Sequence, residues 1–138
     1  MATLILRPNA ASITAQSATS SPNYGCIDEE TLSETDYCYV LGSSASDALL
    51  DIYGFPDHSS ETGTINSVTV KAYCKKVIKG TDANNVTFRP AVQISSTRYY
   101  GSYNNLTAST ALYSNSWATN PATSSAWSWT DIDNLLAG

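Results

Sequence analysis

The side chains in this chain that could do chemistry fall in four places. Asp28, Glu29, Glu30, Glu34 and Asp36 crowd one stretch. Hard cations take several oxygen ligands at once, so Asp28, Glu29 and Asp36 are the calcium candidates. The regular EF-hand spacing is absent, and an exposed acidic turn is the plainer reading of the same residues. A glycosidase would need a general acid and its carboxylate partner, and nothing in the spacing singles out such a pair. Cys26, Cys38 and Cys74 are an odd number, contain no Cys-x-x-Cys and share the chain with one histidine. Neither a zinc site nor a disulfide framework is indicated, and free buried thiols are expected. A Cys26 to Cys38 disulfide is the alternative in an oxidising medium.

His58 stands in a Ser-rich loop with no nucleophile signature nearby, so it reads as a solvent residue and no triad can be argued. Tyr99, Tyr100 and Tyr103 surround Gly101. Exposed phenol rings beside a glycine can stack on sugar rings, or pack at a subunit contact, and these three are the interface or ligand-contact candidates. Asn85-Val-Thr and Asn105-Leu-Thr match the glycosylation acceptor pattern. No secretion signal accompanies them, so they read as coincidences of a Ser/Thr/Asn-rich chain.

Strands must carry these groups. In residues 67–77, Val68, Val70, Ala72 and Cys74 form one face, and Thr69, Lys71, Tyr73 and Lys75 the other. That period of two predicts a strand with one wet face. Residues 80–85 supply a turn, and 86–94 repeat the pattern with Val86, Phe88, Val92 and Ile94 inward and Thr87, Arg89 and Gln93 outward; Pro90 interrupts the inward set, where a bulge or an edge position is expected. Residues 3–7, 48–55 and 112–118 are further strand candidates, and 10–23 stay open between loop and loose strand. One stretch reads as a helix. Thr130 followed by Asp133 resembles a capping box, with Ile132, Leu135 and Leu136 on one face and Gly138 at the stop. Trp127 and Trp129 stand just before it, and so short a helix must close over a core like a lid.

A length of 138 residues fits one domain with a real core. Charged residues are 14% of the chain, a composition that favours all-β. A net charge of -5 with no basic run argues against nucleic acid. The first apolar run is too short for a signal peptide and no stretch is long enough for a membrane span, so synthesis and residence in the cytosol are expected.

Leu-Arg-Pro-Asn at 6–9, Ile-Asp-Glu at 27–29, Asp-Tyr at 36–37 and Ile-Asn-Ser-Val-Thr-Val-Lys-Ala at 65–72 stand in this order. They precede Trp-Ala-Thr-Asn-Pro-Ala-Thr and Trp-Ser-Trp-Thr-Asp-Ile-Asp-Asn-Leu within 117–135. The series resembles a family of tailed-phage and related virus structural proteins. The most specific part is the Asn120-Pro121-Ala122-Thr123 turn followed by the Trp-x-Trp. The resemblance implies a single jelly-roll-like β-sandwich with a short C-terminal helix, one domain over residues 1–138, and no catalytic residues to transfer. It further implies a capsid decoration or cement role on the virion surface, assembled in the host cytoplasm. The partners it implies are a major capsid or other virion protein and further copies of the chain, a trimer first. A carbohydrate-binding sandwich on a tail fibre or particle surface is the alternative, and an enzyme is disfavoured. In such sequences one or two strands usually follow an Ala-Gly like Ala137-Gly138, which would leave an open sheet edge for a neighbour to complete.

Overall fold

The computed structural model describes residues 3–40, 49–77 and 86–138. In chain order the elements are β1 (Ala10–Thr14), β2 (Ser17–Ala18), a 3-10 turn at Asn23–Cys26, β3 (Cys38–Tyr39), β4 (Asp51–Gly54) and β5 (Val68–Cys74). There follow β6 (Thr87–Phe88), β7 (Ala91–Ile94), β8 (Thr97–Tyr100), β9 (Asn104–Asn105), β10 (Ala111–Trp117), α1 (Trp129–Asp133) and β11 (Leu136–Ala137). A five-stranded sheet runs in the order β1-β4-β11-β7-β8, and β10 pairs with β5 in a separate ribbon. Two shorter ribbons join β2 to β3 and β6 to β9. Every pairing is antiparallel. The fold is therefore all-β and sandwich-like with one short helix. Jelly-roll connectivity is not traced by these pairings among the described residues.

The core lies between the sheet and the helix. Val92, Trp127, Ile132, Leu135 and Ala137 are buried together, and Leu6, Phe55, Val68, Val70 and Trp117 pack against them. Trp127 joins the layers: its indole donates to the Trp117 carbonyl at 2.9 Å, and its backbone bridges Ile65. The buried Asn120 shapes the turn that delivers this tryptophan, its side-chain oxygen accepting from the Ala122 amide at 2.9 Å.

The helix start differs from the sequence expectation by two residues. Ser128 is the N-cap: its hydroxyl accepts from the Asp131 amide at 3.1 Å, and the Asp131 carboxylate accepts from the Ser128 amide at 2.8 Å. Ser128/Asp131 and Thr130/Asp133 have the same spacing, so the sequence pattern is degenerate. Asp133 is engaged elsewhere, by His58, and the earlier pair caps.

The helix also ends sooner than expected. Leu136, placed on its apolar face by sequence, instead enters β11 at the centre of the sheet, where Ala137 stands opposite both Tyr53 and Val92. Gly138 continues the ladder by exchanging two backbone bonds with Ala91, at 2.7 and 3.0 Å. A Cβ on Gly138 would lie 1.7 Å from the Asp51 carbonyl oxygen, so no larger residue fits this backbone path.

Residues 3–7 form no strand, although Leu6 reaches the core. Pro8 ends the alternation, and the chain joins the sheet only beyond it, starting with the Asn9 amide, which donates to the Gly54 carbonyl at 3.0 Å. Residues 10–14, left open by sequence, are β1. The 80–85 turn and Asn85 lie outside the described residues, as do 41–48, which hold the start of the expected 48–55 strand. Among the described residues no helix is long and apolar enough to cross a membrane.

Candidate interaction site

The tyrosine-rich hairpin holds the most exposed concentration of recognition chemistry. β7 and β8 pair from Ile94 opposite Thr97 to Ala91 opposite Tyr100, and beyond them β6 and β9 pair with Phe88 opposite Asn104. Between the two ladders, Arg89 and Pro90 on one strand oppose Gly101, Ser102 and Tyr103 on the other. One strand thus carries an extra residue, a bulge at the position where Pro90 denies the ladder a donor. Gly101 makes the bend possible. Its amide donates to the Pro90 carbonyl at 2.8 Å, and a Cβ there would sit 2.5 Å from Asn115 Cγ.

The bulge folds Tyr103 back towards Arg89. The guanidinium carbon lies 3.8 Å from the centre of the Tyr100 ring and 4.4 Å from that of Tyr103. Each such contact contributes about 0.5–2 kcal/mol, more as water is excluded. Tyr103 is 68% exposed and Tyr100 43%. Tyr99 is not part of this face. Alternation along β8 turns it to the opposite side, where it packs against the core. Of the three tyrosines singled out by sequence, the structure brings two together and sends the third inward. Arg89, which sequence reasoning passed over, is what joins the two.

The acidic stretch does not converge. Asp36 accepts from the hydroxyls of Thr19 at 2.7 Å and Ser20 at 3.3 Å. Its pKa is held below the ordinary carboxylate range, first by the Cys26 thiol and then by Thr19. Glu34 binds Lys75 and accepts from Thr110, which hold its carboxyl down as well. Glu29 is exposed, and its backbone carbonyl, not its carboxylate, receives Arg7 Nε at 3.3 Å. Asp28, Glu29 and Asp36 are thus not brought together as a calcium site, and among the described residues no group of three His, Cys, Asp or Glu could hold a metal ion.

A buried polar cluster sits on β4 instead. Asp51 accepts from the amides of Ala15 at 2.6 Å and Gln16 at 2.8 Å, from Asn23 at 3.0 Å and from the Tyr53 hydroxyl at 2.7 Å. Burial and then this carboxylate push the Tyr53 pKa well up, so the phenol stays protonated and donates. Cys38 lies 3.6 Å from the Tyr53 oxygen, and burial raises its thiol pKa too. Burial pushes Cys74 up to about 11. All three cysteines are free, and both raised thiols are poor nucleophiles at neutral pH. The cluster anchors β1 and the 3-10 turn to β4.

His58 is not a free solvent residue. Its Nδ1 is 2.7 Å from Asp133 Oδ1, its amide donates to the same oxygen at 3.0 Å, and its ring stacks on Trp129 at 4.9 Å. These bonds lower the Asp133 pKa, the imidazole bond most. An oriented Asp-His pair supplies two of the three members of a hydrolase triad, yet among the described residues no hydroxyl or thiol hydrogen-bonds the ring. The pair fastens the 57–61 loop to the helix. No spacing rule could have joined residues 75 positions apart. Comparison with known proteins returns no matching family model, no matching curated protein and no matching solved structure.

Proposed function

We propose that this chain is a non-catalytic structural protein of a virion, a capsid decoration or cement protein that docks on a symmetric head lattice through the Arg89, Tyr100 and Tyr103 face. The observation that carries the proposal is the guanidinium held against two exposed phenol rings. Arginine and tyrosine are the residues in which interface binding energy concentrates, and a pre-ordered cluster loses little side-chain entropy on docking. The same geometry counts against a sugar platform, because Arg89 already occupies a ring face of each tyrosine that a pyranose would need. The resemblance over residues 6–135 supports the virion assignment and the jelly-roll reading of the sandwich. On this reading the protein folds in the host cytoplasm, meets a major capsid or other virion protein, and associates as a trimer under closed symmetry. Weak single contacts then add up by avidity across the lattice.

Electron cryo-microscopy of the particle with this protein removed and then restored tests the reading. The expected result is a regular surface protrusion that returns with the wild-type chain and fails to return with Arg89→Ala or Tyr103→Ala. An unchanged particle surface, together with glycan-array binding by the isolated protein, would overturn it in favour of sugar recognition.

A further inference from the structure

A second surface, distinct from the tyrosine face, is unfinished in the folded chain. β5 hydrogen-bonds to β10 on one side, and its other edge has no strand partner among the described residues. That edge borders a partly open cavity of about 1420 Å³ between ribbon and sheet. Its walls include Leu6, Phe55, Val68, Val70, Ile132 and Leu135, and also the charged Arg7, Glu29, Glu30 and Glu61. The lining is more apolar than polar, and a row of aliphatic side chains inserted there would cover apolar surface that water now reaches. Unpaired strand edges are in turn ready templates for another strand.

We propose that the free edge of β5 accepts one extended segment of a partner protein, a strand alternating aliphatic with acidic side chains. The alternation follows from the acceptor. A strand on this edge lays every second side chain into the cavity beside Val68, Val70, Ala72 and Cys74. The others fall beside Thr69, Lys71, Tyr73 and Lys75. In a chain with twelve acidic and seven basic residues, this face is a local exception. β10 places Ser114, not a carboxylate, opposite Lys71, and Lys71 forms no ion pair among the described residues. Lys75 already holds Glu34, which shows that a carboxylate is accommodated on this side of the ribbon. Opposite charges facing each other across a strand pair stabilise it, and like charges disfavour it.

The test uses the whole chain and a labelled peptide, Val-Glu-Val-Thr-Val-Glu-Val, whose glutamates can stand opposite Lys71 and Lys75. Fluorescence anisotropy is expected to show saturable binding, and hydrogen exchange to slow at amides of β5 that β10 leaves unpaired. A version with lysine in place of glutamate should bind about tenfold more weakly. Lys71→Glu, an exposed substitution compatible with folding, should reverse that preference. A version with proline at the central position should not bind, since it cannot complete the ladder. Absence of binding, or equal binding of the proline peptide, overturns the proposal. So does protection of β5 that rises with protein concentration alone, which would assign the edge to a second copy.

Discussion

The β5–β10 ribbon and the five-stranded sheet obey opposite rules. The ribbon has the longest strands, seven residues each in unbroken register, yet each alternates between half-buried and exposed and none of its residues is fully buried. β4 and β7 have four residues each, and three consecutive positions in both are buried, including Ile52 and Val92 at 0% exposure. Clean alternation marks a strand with one wet face, whereas a strand covered on both sides loses it. The most conspicuous pattern in the sequence therefore lies at the rim, and the centre is carried by short segments that no periodicity advertises.

This contrast can be broken by mutation. Ile52→Ala should destabilise the protein by about 2–5 kcal/mol, while Val70→Ala, beside the open cavity, should cost less than about 1.5 kcal/mol. Urea unfolding of both variants measures the difference, and equal losses would show that Val70 is packed as tightly as Ile52. Ser128→Ala removes the cap of α1 and should cost about 1 kcal/mol. Because α1 delivers β11 into the sheet, faster hydrogen exchange is expected at Ala137 with β5 left unchanged.

The smallest effects concern acid. Asp133 and Glu34 have carboxyls lowered in the folded state, Asp133 chiefly by His58 and Glu34 chiefly by Lys75. Their stabilisation is present above the unfolded carboxylate value near pH 4 and is lost as pH falls through the lower folded value. Asp133→Asn should flatten the acid limb of global unfolding, because it cuts the loop-to-helix tie. Glu34→Gln should flatten only the local opening of the ribbon, read as exchange at β5 against pH.

Much of the fold was legible from residues 67–77 and 112–118, where the period of two identifies strand and face together. Pro90 announced the bulge, because a missing donor interrupts a ladder wherever the chain folds. Tyr100 and Tyr103 stood out as contact candidates by type, but Tyr99 was indistinguishable from them until β8 had a direction. The helix was visible while its cap was ambiguous, since two Ser/Thr-x-x-Asp pairs overlap and the choice was made by His58 far along the chain.

Composition and local spacing determined that this polypeptide forms strands and which face of β5 is wet, because those preferences act between neighbours in sequence. Tertiary structure alone decided that Leu136 and Ala137 complete the middle of a sheet, that Asp51 gathers four donors, and that Arg89 lies across two rings. Each depends on groups brought together only when the chain closes. The free energy of those contacts has no signature in any single segment.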